Sequence, residues 1–295
     1  MTRPPASAGL PWRGIACMLV SSVGFGMAPS LARLAYDGGS EPLTAILVRF
    51  LTATAFVAVL MAVLRRPFGM RRRERFEAIG IGLVSGVMSY GYLAAVQHIP
   101  VSIAALVFFS FPALVAIASH LLALERLTAV RSIALVTAFV GIAGVVGVSH
   151  ASLDPRGIAL AFLAAVACAA TIVWTSRLLP RAEVLAINLH AVATGSVVFL
   201  ALVAIAGGPQ WPSTALGWTG LLAAGLAYAL GYVAIFLAIA LLGPFLSAML
   251  ANLEPIIAVA FAVAVLGEPL GAGQAGGMAL VFLAIALLRI GRRRR

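Results

Sequence analysis

Along the chain, apolar runs of about 20 residues alternate with short breaks at charges and at Pro or Gly clusters. A bilayer core about 30 Å thick takes roughly 20 apolar residues per helix, and it leaves no room for unpaired backbone. The pattern predicts ten spans, over residues 14–33, 43–64, 76–97, 100–123, 130–149, 156–176, 183–206, 215–239, 244–266 and 270–290. The connections between them are short, so no sizeable soluble domain is expected. The expected fold class is an all-α polytopic membrane protein.

Composition agrees with the pattern. Of 295 residues, 63% are hydrophobic and 10% charged, whereas a soluble domain carries about 25% charged residues. That excludes a cytosolic enzyme, a disordered chain and a secreted disulfide scaffold. Cys17 and Cys168 both lie in apolar runs and read as small hydrophobes. The net charge of +11 points toward phosphate only until its distribution is read. All twenty basic residues are arginine, clustered between apolar runs: Arg65, Arg66, Arg71, Arg72, Arg73 and Arg75, then Arg292 to Arg295. With a cytoplasmic N-terminus, seventeen arginines fall inside, and Arg33 and Arg156 fall outside. This positive-inside bias predicts that both termini are cytoplasmic, and it explains the charge without nucleic acid. Arg49 falls within the second span, and Glu254 is the carboxylate set deep in a span.

A shift of 143 residues aligns Arg13-Gly14-Ile15-Ala16 with Arg156-Gly157-Ile158-Ala159. Without a gap it also pairs Val23 with Val166, Ala105 with Ala248, Pro112 with Pro255, Glu125 with Glu268 and Leu127 with Leu270. The halves read as copies, with a first five-helix repeat over 1–149, a second over 150–290 and a cytoplasmic arginine tail over 291–295. The first span resembles a signal peptide, but its counterpart in the sixth span makes it part of the fold. Five helices per copy is odd, so the second copy enters from the opposite side. Inverted repeats are an architecture of secondary transporters, with substrate near the midplane between the halves.

At these residues the chain resembles the drug/metabolite transporter superfamily, in its EamA-like ten-helix branch. The resemblance is carried by Ile46-Leu47-Val48-Arg49-Phe50, by Leu124-Glu125-Arg126-Leu127-Thr128, and by Leu253-Glu254-Pro255 with Leu266-Gly267-Glu268-Pro269-Leu270. It covers essentially the whole chain. It implies a carrier of small metabolites, often amino acids or amines, in the inner membrane and usually directed outward. An uptake permease for a vitamin or nucleotide-like solute is the alternative on the same fold. Phe111-Pro112 stands where the other half has Glu254-Pro255, so the acid occurs in one half.

Polar groups in hydrocarbon turn toward a cavity or toward each other. Ser85, Ser89 and Tyr92 share one helical face, and the 143-residue shift carries Ser85 and Ser89 onto Tyr228 and Tyr232. Ser247, Asn252 and Glu254 mark the ninth span, and Cys168, Thr171 and Thr175, with Trp174 beside them, mark the sixth. The substrate-binding candidates are Glu254, Asn252, Ser247, Ser85, Ser89, Tyr92, Trp174, Tyr228 and Tyr232. Helix packing is the competing reading for the hydroxyls, and core aromatics for Tyr90, Tyr92, Trp174, Tyr228 and Tyr232. Burial favours the neutral carboxyl of Glu254, which is the candidate to carry a proton or to bind a substrate amine. His190 is the second proton-relay candidate. Arg49 is the charged counterpart of Glu254, placed either to pair with it or to snorkel outward.

Pro29, Pro112 and Pro255, with Arg49, are the gating candidates, because proline frees a carbonyl one turn back. The fifth and tenth spans, with Gly141, Gly144, Gly147, Gly276 and Gly277, read as packing helices that also offer a homodimer contact. The sequence calls for no cofactor, no metal and no nucleic acid; the partners expected are a small-molecule substrate and the lipid bilayer. Gly82-Leu83-Val84-Ser85-Gly86 with His190 has no nucleophile spacing, so an intramembrane serine protease is disfavoured. No span holds an aspartate, and no nucleotide-binding loop is present. Continuous filter sequences of a channel are absent too. The function read from the sequence is therefore an alternating-access transporter, not an enzyme.

Overall fold

The computed structural model describes residues 12–147, 154–266 and 270–293. Arg3, Glu268, Pro269 and the last two arginines of the expected tail lie outside the described residues. Twelve helical segments follow one another: α1 Trp12–Asp37, α2 Pro42–Val63, α3 Arg72–Ala95, α4 Val101–Phe108, α5 Phe111–Leu121, α6 Ala129–Val146, α7 Pro155–Leu178, α8 Val184–Ile205, α9 Ala215–Leu242, α10 Pro244–Ala251, α11 Leu253–Leu266 and α12 Ala272–Arg293. Among the described residues there is no strand. Joining α4 to α5 and α10 to α11 gives nine apolar spans of bilayer length, and α12 adds a shorter apolar stretch, Ala272–Leu288. These are the ten expected spans, differing from the predicted bounds by a few residues.

Local chemistry sets the ends. The side chains of Thr128, Asp154, Glu183 and Thr214 accept from backbone N–H groups of the first turns of α6, α7, α8 and α9, satisfying donors that a helix start leaves open. Proline stands at the first turn of α2, α5, α7 and α10, where its missing N–H is no loss. At φ 81°, Gly243 turns α9 directly into α10.

The fourth and ninth spans are each broken. Pro112 and Pro255 cannot donate to the carbonyls of Phe108 and Ala251 one turn back. The helices part at Phe109–Ser110 and at Asn252. Pro29 instead lies inside α1, which runs on through it.

The 143-residue repeat is visible in the boundaries. Val101–Phe108 shifts onto Pro244–Ala251 at both ends, and the starts of α1, α3 and α6 shift onto those of α7, α9 and α12. The repeats are not separate bodies, however. The first helix of each packs against the other repeat: α1 along α9 and α11, α7 along α3, α4 and α5. A Cβ on Gly14 would lie 2.6 Å from Leu242, and one on Gly157 2.7 Å from Ile99. These are equivalent contacts under the same shift. Two bundles result, α1 with α9 to α11 and α7 with α3 to α5. The pair α2–α8 bridges them, and α6 lies along α12.

Large apolar side chains such as Val59, Val136, Leu200 and Phe282 stay exposed on the outer surface, as a lipid-facing rim requires. Gly141 and Gly144 of α6 and Gly277 of α12 are used inside the chain. A Cβ on Gly141 would meet the Gly277 carbonyl at 2.8 Å, and one on Gly277 would meet the Gly141 carbonyl at 2.5 Å. Such close approach holds helices together where lipid gives no hydrophobic drive. Gly276 has no atom within 4 Å of its would-be Cβ. We therefore expect Gly277→Ala to destabilise the protein by about 1–3 kcal/mol through overpacking, and Gly276→Ala to be neutral. Thermal unfolding in detergent checks this; equal melting temperatures for the two variants would contradict the packing.

Candidate functional site

The proximal end is where α1 begins and α12 ends, and the distal end lies opposite. Between the bundles, near mid-depth, α3 and α9 bring their polar stripes together. Ser85 Oγ lies 2.9 Å from the Tyr232 hydroxyl and 3.3 Å from Thr171 Oγ1, and it also donates to the Ile81 carbonyl at 2.9 Å. Tyr228 stacks on Tyr232 with centroids 5.4 Å apart, and Phe25, Phe50 and Phe236 complete an aromatic wall at 5.5, 5.6 and 5.0 Å. The Tyr228 hydroxyl is buried and has no hydrogen-bond partner among the described residues. Ser89 donates to the Ser85 carbonyl at 3.0 Å, one turn back.

Glu254 sits in the first turn of α11, next to the break at Asn252. Its placement rests on α1: a Cβ on Gly26 would approach the Glu254 carbonyl to 2.8 Å, so only glycine admits this approach. Glu254 and Arg49 are linked to the tyrosine wall through neighbours: Gly26, under the Glu254 carbonyl, follows Phe25, and Arg49 precedes Phe50. They do not form a salt bridge, and the buried Nε of Arg49 has no hydrogen-bond partner among the described residues.

The other predicted residues fall elsewhere. Tyr92 packs edge-on against Phe108, and Tyr90 is exposed on the rim. Trp174 Nε1 lies 3.4 Å from Glu77 Oε2, and Arg181 closes on the same carboxylate with two bonds of 2.9 Å. This group ties α7 to α3 near the proximal end. His190 directs Nδ1 to the Ala186 carbonyl at 2.9 Å, within its own helix. Ser247 is buried without a hydrogen-bond partner. Asn252 is buried too, with Oδ1 unpartnered. It joins Ser110, Phe109 and Pro112 around a largely apolar cavity of about 310 Å³, so the two helix breaks meet at one place.

Sequence reasoning missed Asn188 and the partners of Glu125. Asn188 is fully buried in α8 and donates from Nδ2 to the Tyr232 carbonyl at 3.0 Å. An asparagine in an apolar span was its signal. Glu125 follows α5 and reaches the other repeat, accepting from the Phe245 N–H at 3.3 Å at the start of α10. Arg131 pairs with it at 2.8 Å and lies 4.5 Å over the Phe245 ring. Beside this contact opens a vestibule of about 550 Å³, lined by Glu125, Ser176, Pro180 and Pro244 among others.

The two ends differ in tightness. All eight residues of α10, in the proximal half, are buried. In α4, its repeat mate in the distal half, only Ile103 and Ala104 are. α10 is thus the more deeply packed of the two repeat mates.

Comparison with known proteins agrees with the fold. The model of the EamA-like transporter family matches twice, over residues 12–147 and 155–290. A solved crystal structure of a protein superposes with a TM-score of 0.78 at 20% identity, covering 94% of this chain and 96% of that chain. No curated protein matches.

Glu125→Ala is expected to uncap α10 and free Arg131, at about 1–2 kcal/mol of stability. Arg131→Ala added to it should cost little more, because the two act on one contact. Additive losses in a double-mutant cycle of thermal unfolding would contradict the assignment.

Proposed function

Because the chain belongs to the EamA-like transporter family, a family of small-solute membrane transporters, we propose that it exports amino acids or closely related metabolites by alternating access. The observation that carries the reading is an arginine, Arg49, and a carboxyl group, Glu254, one next in the chain to Phe50 of the aromatic wall and the other packed against Gly26 beside Phe25, and not paired with each other. An ionised side chain at the centre of a bilayer costs about 2.5–3.5 kcal/mol on insertion scales. Two such groups are best satisfied by a solute bearing both signs. A carboxylate would meet Arg49, an ammonium would meet Glu254, and the apolar part of the solute would lie on Phe25, Tyr228 and Tyr232.

Asn252, Ser247, Ser85, Ser89, Tyr92 and Trp174 form the surrounding set of candidate contacts, nearer to or farther from that wall. Glu254 is also the candidate proton carrier: an acid that takes up a proton on one side and loses it on the other couples transport to the proton gradient. His190 is a second candidate, half-buried in α8. Pro112 and Pro255 free carbonyls at the breaks, and with Pro29 they supply the softened places about which the bundles rock. The arginine distribution supports a cytoplasmic proximal end and a plasma or inner membrane location. The substrate is a small molecule and the surrounding partner is lipid.

Overexpression is expected to make cells tolerate and release a particular amino acid. Equal tolerance toward every amino acid would sink the export reading, and accumulation in place of release would assign uptake. In vesicles, Arg49→Gln should lower transport of a zwitterionic solute at least tenfold while sparing an amine that lacks the carboxylate. Glu254→Gln should flatten the dependence of transport on external pH; an unchanged profile would remove the proton-carrier role.

A further inference from the structure

An inverted-repeat carrier reverses its access when its two repeats exchange conformations. A contact between residue i of the first repeat and residue j of the second then becomes a contact between j−143 and i+143. Applied to the Ser85–Tyr232 hydrogen bond of 2.9 Å, the rule returns Ser89 and Tyr228. The returned pair is again one serine and one tyrosine, although Ser85 itself maps onto a tyrosine and Tyr232 onto a serine. Both hydroxyls needed for the second bond are therefore present, and in this conformer they are not joined: the Tyr228 hydroxyl is buried without a partner, and Ser89 turns back to its own helix. A buried phenol with no partner is costly in any conformer that never satisfies it.

We propose that Ser89 and Tyr228 are the distal closing pair of the transport cycle, the counterpart of Ser85 and Tyr232 at the proximal side. The two pairs are offset by four residues on each helix, about 6 Å of depth. A pseudo-two-fold axis in the membrane plane puts them about equally far on either side of the midplane. In the described conformer the proximal pair is joined, and α10 on that side is buried throughout. When access reverses, Ser85 and Tyr232 part, Ser89 leaves the Ser85 carbonyl, and its hydroxyl meets that of Tyr228. The pairs are unequal in one respect. Thr171, which adds a 3.3 Å contact to Ser85, maps onto Ala28, so the proximal pair has the extra hydroxyl and the described conformer is the favoured one.

The proposal rests on alternating access and not on the identity of the solute. It is tested by amide hydrogen exchange of the full chain in lipid nanodiscs without substrate. Exchange in α10 tracks the population in which the proximal side opens. Tyr232→Phe is expected to quicken α10 exchange about fivefold, the worth of one net hydrogen bond, and Tyr228→Phe to slow it about fivefold. The double variant should return close to the parent. Ser89→Ala reproduces Tyr228→Phe by a smaller change, should the tyrosine variant fold poorly. Unchanged or quickened α10 exchange in both Tyr228→Phe and Ser89→Ala would overturn the proposal. A failed export assay with the exchange pattern intact would overturn the solute reading and leave the pair standing.

Discussion

Everything in this molecule follows from the demand that backbone N–H and C=O groups be paired where no water can reach them. Uninterrupted helices meet that demand at the rim, where α2, α6, α8 and α12 present apolar side chains outward. A broken helix cannot stand there, because its free carbonyls would face lipid. The two breaks, at Phe109–Ser110 and at Asn252, accordingly lie against each other across one cavity, with Phe111, Asn252 and Leu253 buried around them. Pro112 and Pro255 are themselves buried, although the cavity also reaches Val136, Phe139 and Val140 on the exposed face of α6.

The same demand shapes the exchange of first helices between repeats. Each broken span needs a continuous neighbour to shield it, and α1 gives that to α11 as α7 does to α4 and α5. Gly26, against the Glu254 carbonyl, brings α1 close enough to cover the start of α11. The consequence for packing is that neither bundle is a stretch of sequence. Each comprises one helix from one repeat and the third and fourth spans of the other.

How much of this was legible beforehand depended on whether a property is local. Span positions, the repeat and the two disruptive prolines are local, and the observed bounds depart from the predicted ones by four residues at most, as at Arg72 for α3 and Asp37 for α1. The polar stripes were legible as faces, but their joining was not. Ser85 meets Tyr232 because α7 and α9 both leave their own repeat's third and first spans, and no helical periodicity encodes that exchange. Trp174 shows the same limit: its place in the stripe of α7 was readable, whereas its N–H lying at Glu77 depends on how α3 aligns with α7. The glycines of α6 and α12 looked equally suited to an outer contact. Only the pairing of the two helices shows that Gly141 and Gly277 are occupied within the chain.

The repeat is also informative where it fails. Under the 143-residue shift Glu254 falls on Phe111, a buried ring at the start of α5. Near the midplane, one half therefore offers an acid and the other a hydrocarbon, at equivalent positions beside equivalent prolines. A carrier with two acids would hold two like charges in low dielectric as the halves exchange, and each would be costly to leave ionised. With one acid, only one half carries that cost. The scaffold keeps near-symmetry in its helix ends and in the serine and tyrosine positions of α3 and α9, and gives it up at Glu254.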